Sequence, residues 1–285
     1  TTGITDIVCG GGVFMNVKAN MLIAQLPEVT SMYVMPSAGD ESLSIGACLH
    51  QYYQKSGNKN HSDSVLENLY LGSSHDRQAE ENAIAAERQG TEIKVSEDGE
   101  IDSRIADLLA EGHTVARCRG RMEWGARSLG NRSILASAEN YARVDEINRA
   151  IKQRDFWMPF APSIREESAH RYIDDAKRLN PQFMTFAFPT KEEGYQDLIA
   201  ASHPRDATIR PQIVSQQANP GYHKLISRFE EKTGRGVVLN TSFNLHGYPI
   251  VDSPVDAIKV FMNSGLETLA LNHFMLSKTS PRTAG

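Results

Sequence analysis

Cysteine is scarce in this 285-residue chain: Cys9, Cys48 and Cys118 are three in number, far apart, and show no C-x-x-C spacing. That excludes a disulfide framework and a zinc ribbon, and the expected home is a reducing cytoplasm. No apolar run approaches the roughly 18 residues of a membrane span. Residues 1–9 lack a basic stretch leading into an apolar one, so no export signal is expected. Internal repeats, heptads and low-complexity tracts are also lacking, which excludes solenoids, coiled coils and disordered chains. What remains is ordinary globular material, 40% hydrophobic and 23% charged. The chain opens on Thr1-Thr2 rather than Met and runs almost at once into a strand-like segment. A piece of a longer polypeptide is the expectation.

An overall basic charge is lacking too, since 30 Lys and Arg face 35 Asp and Glu for a net −5. A duplex-binding surface would raise the whole domain's charge, so nucleic acid is not the expected partner. Within residues 117–154, however, nine basic side chains (Arg117, Arg119, Arg121, Arg127, Arg132, Arg143, Arg149, Lys152, Arg154) meet four acidic ones, Glu123, Glu139, Asp145 and Glu146. Arginines concentrated in an acidic protein suit a compact polyanion, because guanidinium forks match phosphate oxygens. A phosphate-bearing small molecule is expected, and a solvated basic face is the bland alternative.

The spacing predicts a strand over 4–8, a turn at Gly10-Gly11-Gly12, a helix from Met15 to Leu26 stopped by Pro27, a strand over 31–35 and a helix from Leu43 to Tyr53, with a locally parallel sheet. The polar stretch 55–65 marks a domain boundary within 56–75. Beyond it, helices are expected over 79–89, 101–111, 141–151, 222–233 and from Ser253-Pro254. Strands are expected over 114–118, 237–239 and 269–271, in one mixed α/β domain.

Six constellations carry chemistry. Gly10 to Gly12 let the backbone approach a ligand, or simply make a tight β-α connection. Asp40, opening a helix, is either its cap or a metal ligand. The glycine-spaced arginines 117–132 suit an anion and do not suit a regular helix or strand, with Glu123 expected to pair with one of them. Lys152 and Arg154 lie on one side if that segment is extended, next to the rigid Pro159-Phe160-Ala161-Pro162. The alternation Asp206, Thr208, Arg210, Gln212 puts four polar groups on one strand face beside His203, and Asn240, Thr241, Ser242 and Asn244 end an apolar strand with short donors.

Taken in order, GGGVFMN (10–16), GDESLSIGA (39–47), GRMEWGARSLGNRSIL (120–135), KQRDFWMPFAPSI (152–164), HPRDATIRPQ (203–212) and VVLNTSFNLHGYPIV (237–251) resemble the carbamoyltransferase family that modifies antibiotics and nodulation factors. The resemblance implies that residues 1–70 are the carboxyl-terminal part of an actin-like ATPase domain similar to the universal tRNA threonylcarbamoyl transferase. Residues 71–285 would be a YrdC-like mixed α/β domain, similar to threonylcarbamoyl-adenylate synthase. In such enzymes the second domain makes carbamoyl adenylate from carbamoyl phosphate and ATP, and the first passes the carbamoyl group to a small-molecule hydroxyl. It further implies catalytic roles in adenylate formation for Arg121, Lys152, Arg154, His203 and Arg210. Gly11, Gly12, Arg127, Arg132, Asn240 and Ser242 would bind nucleotide or phosphate. Asp40 would hold a divalent metal, iron, with magnesium accompanying ATP.

The chain departs from the family at Cys118-Arg119, Ala126 and Glu41-Ser42, and no H-x-x-x-H pair exists among its nine histidines. A whole adenylate-forming site and an incomplete transfer site are therefore expected, and a homodimer is compatible with this reading. The alternative from another class is a non-catalytic nucleotide- or RNA-binding module related to threonylcarbamoyl-adenylate synthase.

Overall fold

A computed structural model describes residues 3–57, 66–87, 93–152 and 158–279; most of the polar stretch 55–65, Gln89, Arg154 and Trp157 lie outside the described residues. In chain order the elements are β1 (Asp6–Cys9), α1 (Val17–Gln25), β2 (Ser31–Val34), α2 (Glu41–Ser56), α3 (Arg77–Glu87), β3 (Ile93–Glu97), α4 (Ile101–Ala110), β4 (Val115–Cys118), β5 (Arg132–Ala136) and α5 (Ala142–Ile147). They continue with β6 (Ala161–Arg165), β7 (Phe188–Pro189), β8 (Thr208–Ile209), β9 (Gln212–Val214), α6 (Pro220–Thr233), β10 (Val237–Ser242), α7 (Pro254–Met262), β11 (Thr268–Ala270) and β12 (Phe274–Lys278).

β1 and β2 pair in parallel as expected, forming a two-stranded sheet of their own. Eight strands form the main sheet in the order β3-β12-β11-β4-β5-β10-β6-β9, parallel at β11–β4 and β6–β9 and antiparallel elsewhere. Alternation along its strands builds two faces. Val115, Leu135 and Val238 pack under α4 and α6 with Ile105, Leu109, Leu225 and Phe229, while Ala116, Ile134 and Leu239 join Ile258 and Phe261 of α7 on the other side. No helix among the described residues is long and apolar enough to cross a membrane.

Local chemistry fixes the helix ends. The Asn16 side chain accepts from Lys18 and Ala19 N–H, so α1 starts after it and Gly12–Met15 closes as a separate 3-10 turn. Ser253 and Asp256 form a capping box on α7, and Asn219 with Pro220 opens α6, which Gly234 closes at φ 76°. The helix expected over 141–151 ends at Ile147 and widens into a π turn, Asn148–Lys152.

The arginine-rich stretch expected as irregular is bounded by strands: Arg117 lies in β4, Arg132 in β5, and the two strands are antiparallel partners. At its far end Gly130 has φ 111°, and a Cβ there would lie 2.3 Å from the ring of Tyr222, which is fully buried. Neither backbone nor ring has room to yield. Gly130→Ala is expected to cost about 3 kcal/mol in urea unfolding, and a loss below about 1 kcal/mol would show that this packing is looser than its distances indicate.

Candidate functional site

The loop between β4 and β5 is held by charges turned inward. Arg117, 2% exposed, donates to the Gly130 carbonyl and Asn131 Oδ1 at 2.8 Å each, pairs with Asp102 at 3.1 Å and lies over the Tyr222 ring. Arg119 donates to the carbonyls of Leu271 and Asn272 and shares Asp102. Burial pulls its guanidinium below the ordinary arginine range, and Asp102 opposes that. Arg132, 1% exposed, serves the carbonyls of Asp252, Arg119, Gly120 and Asn131. Arg121 lies at the surface and donates to the carbonyls of Leu71 and Gly72. Arg117, Arg119, Arg121 and Arg132 thus each donate to backbone carbonyls.

Glu123, expected in an ion pair with an arginine, does something else: one buried carboxylate oxygen accepts the N–H groups of Leu129 (2.7 Å), Asn131 (2.7 Å) and Arg132 (3.2 Å). A carboxylate meets three backbone donors that loop geometry would otherwise leave unpaired.

A second group forms around β10. Lys152, 1% exposed, sits in the π turn and not in the extended segment expected for it. Its ammonium donates to Ser242 Oγ (3.1 Å) and to the backbone and side-chain oxygens of Asn244 (3.2 and 2.6 Å), while Ser242 Oγ donates to Asn244 Oδ1. Two residues back along β10, the Asn240 amide donates to the Ser128 carbonyl, Ser163 Oγ and Gln212 Oε1, and accepts from Ser128 Oγ. Gln212 continues to the Leu129 carbonyl, which Tyr70 also meets. Burial raises the phenols of Tyr70 and Tyr222, keeping both neutral. Lys152, Ser242, Asn240 and the Arg127-Ser128 segment therefore share one strand end.

The other expected residues are placed apart. The chain over 206–212 does not run as one strand face: Thr208-Ile209 pairs with β7, Gln212 onward pairs with β6, and the break falls at Arg210-Pro211. Pro211 has no N–H to continue a ladder, and it restricts the residue before it. His203 lies within its own turn, its Nδ1 3.3 Å from Asp206 Oδ1 and accepting from Arg205 N–H. Burial would raise the Asp206 carboxyl, but hydrogen bonds from Lys18 and Thr208 outweigh it and hold the group at about 2.

Gly11 and Gly12 are exposed with open space around them, Gly11 at φ 102°. Asp40 stands at the N-cap of α2, exposed and without a side-chain capping hydrogen bond, and among the described residues no three His, Cys, Asp or Glu side chains gather to hold a metal ion. The donor set implied for iron is not assembled among the described residues. Burial pushes the Cys118 thiol up to about 12, so it is no nucleophile. Arg127 borders a small cavity with Phe14, Met15, Ser37, Ala38 and Met184, which brings the 10–16 and 37–41 segments to the arginine loop.

Sequence reasoning gave no role to the Ser128 and Ser163 hydroxyls, whereas Asn244 stands in the run expected to end an apolar strand with short donors. It also passed over a cavity of about 590 Å³ between β1–β2 and residues 178–186, lined by Asp6, Ser31, Tyr33, Asn68 and Arg178 among others.

A family model described as Carbamoyltransferase C-terminus matches residues 106–278, which contain β4, the arginine loop, Lys152 and the whole of β10. The chain belongs to the carbamoyltransferase family. Nodulation protein NolNO of Sinorhizobium fredii is 34% identical over 281 residues, covering 97% of this chain and 40% of that protein. The 3'-hydroxymethylcephem-O-carbamoyltransferase of Streptomyces clavuligerus is 28% identical over 257 residues, 90% of this chain and 45% of the relative. This carbamoyltransferase segment spans about half the length of the curated relatives it matches. Among solved structures, full-length HypF in its phosphate- and nucleotide-bound form aligns with a TM-score of 0.44 at 17% identity, over 60% of this chain and 21% of that one.

Proposed function

We propose that the chain is the carboxyl-terminal portion of an O-carbamoyltransferase whose residues 71–285 form a YrdC-like carbamoyl-adenylate site. The observation that carries this reading is the buried Lys152 ammonium at the end of β10, held by Ser242 and Asn244 within the family-matched region. A fixed positive charge beside hydroxyl and amide donors suits phosphate oxygens. The order of the six sequence motifs supports it as well.

In balanced form, water cleaves carbamoyl phosphate to carbamate and phosphate. A carbamate oxygen then attacks the α-phosphorus of ATP, which is accompanied by magnesium, and the α–β bridging oxygen leaves with pyrophosphate. Lys152 would take up charge developing on the transferring phosphoryl group, with Ser242 and Asn240 orienting the substrate. Arg127 precedes Ser128, whose hydroxyl bonds to Asn240, and is kept with Arg154, His203 and Arg210 as a candidate from its motif. Arg121 and Arg132 would act as scaffold. The carbamoyl group would pass from the adenylate to a small-molecule hydroxyl, as the printed name of the cephem relative describes for that enzyme.

Residues 1–70 would complete an actin-like transfer domain with sequence found in the longer relatives. Supporting this, Ile4, Val8, Val13, Leu22, Leu43 and Tyr52 are exposed together in this part of the chain, and none of the 16 residues of α2 is buried. Incubated with ATP, magnesium and carbamoyl phosphate, the full chain is expected to release phosphate and pyrophosphate in equal amounts. Neither release nor calorimetric binding of either substrate would sink the reading.

A further inference from the structure

The segment that opens α2 and the arginine loop meet at one hydroxyl. Ser37 is buried and has φ 51°, a left-handed conformation unusual for a residue with a Cβ. Its Oγ accepts the Ala126 N–H at 3.2 Å and donates to the carboxylate of Glu41, the first residue of α2. That hydrogen bond holds the Glu41 carboxyl below the usual carboxylate range. Facing Ser37, Gly125 has φ 107°, and a Cβ on it would lie 2.7 Å from the Ser37 Cβ. Only glycine permits this approach. Two residues further, Arg127 borders the cavity that Ser37 and Ala38 also line, and the Ser128 hydroxyl bonds to Asn240 on β10. A continuous set of contacts thus runs from the β10 strand end through Ser128, Ala126 and Ser37 to Glu41, beside Asp40.

From this contact set we infer that the Ser37–Gly125 junction couples occupancy of the β10 anion site to the 37–41 turn, making Ser37 a positioning residue that links adenylate formation to the segment where transfer would take place. The inference rests on the reading of the β10 end as the carbamoyl-phosphate and ATP site. An anion drawing Arg127 and Ser128 toward β10 moves Ala126 with them, because they are chain neighbours in one loop. The Ala126 N–H then pulls on, or releases, the hydroxyl that holds Glu41. Strained residues cluster at switch regions, and Ser37, held between two such bonds, is placed to transmit a shift of the loop to Glu41.

The test is hydrogen exchange, read by mass spectrometry on residues 37–43 of the full chain, with and without carbamoyl phosphate plus a non-hydrolysable ATP analogue. Calorimetry on the same samples reports binding. In the unmodified chain, the two ligands are expected to change exchange at 37–43 by about threefold or more. Ser37→Gly removes the hydroxyl while accepting φ 51° without strain, and Glu41→Ala cuts the other end of the tie at an exposed position. Both variants are expected to bind the ligands within about twofold of the unmodified chain and to lose the exchange response. Binding with unchanged exchange at 37–43, or a response that persists in both variants, would overturn the coupling and leave the proposed function standing. No binding at all would remove that function and the coupling together.

Discussion

Lys152→Met is expected to lower carbamoyl-phosphate-dependent pyrophosphate release by about a hundredfold with the fold intact, because a preorganised charged donor aimed at a developing oxyanion is worth about 10²–10³ in rate. Methionine has nearly the length and volume of the lysine stem, so the interior around the π turn stays filled. The Ser242 and Asn244 side chains remain bonded to each other when the ammonium goes, so only the half-buried Asn244 carbonyl loses a donor. A thermal midpoint within about 3 °C of the unmodified chain, that is a change of about 1 kcal/mol, is the accompanying expectation. Release within about fivefold of the unmodified chain, well short of that rate loss, would reduce Lys152 to a strut beneath the Asn244 turn.

Glu123→Ala should do the opposite, acting on stability first. Three backbone N–H groups converge on one carboxylate oxygen, and alanine leaves all three without it in a buried loop. Each unpaired buried donor costs about 1–3 kcal/mol, and partial relaxation toward water brings the expected total to about 4 kcal/mol. Glu123→Gln keeps an acceptor oxygen and loses only charge assistance, so about 1–2 kcal/mol is expected. Urea unfolding of both variants checks the ranking. Equal losses in the two would show that charge alone, and not the count of satisfied donors, holds the loop.

Much of the fold was readable in the sequence wherever chemistry is local. The Ser253 cap with Pro254, the Gly234 stop and the parallel pairing of residues 6–9 with 31–34 all follow from propensity and periodicity within a few residues. β5 and β6 were not readable, because Arg132 and Pro162 look like strand breakers until long-range partners are known. Arg132 is acceptable inside a sheet because four carbonyls receive its guanidinium, and Pro162 sits opposite Leu239 of β10.

The same limit governs the site. Lys152 and Ser242 could be picked from motifs and do meet, while Asn240, picked with them, bonds to Ser128, Ser163 and Gln212. The convergence of arginines on a ligand could not be told from convergence on backbone carbonyls, since both use the same residues at the same spacing. Asp102, which pairs with Arg117 and Arg119, lies in a helix that gave no hint of it.

Exchange of labelled pyrophosphate into ATP by the full chain tests the central claim most directly, because it reports reversible adenylate formation without any acceptor. Label should enter ATP when carbamoyl phosphate and magnesium are both present and should stay out when carbamoyl phosphate is omitted. No exchange while both substrates bind, or exchange that ignores carbamoyl phosphate, would contradict the account.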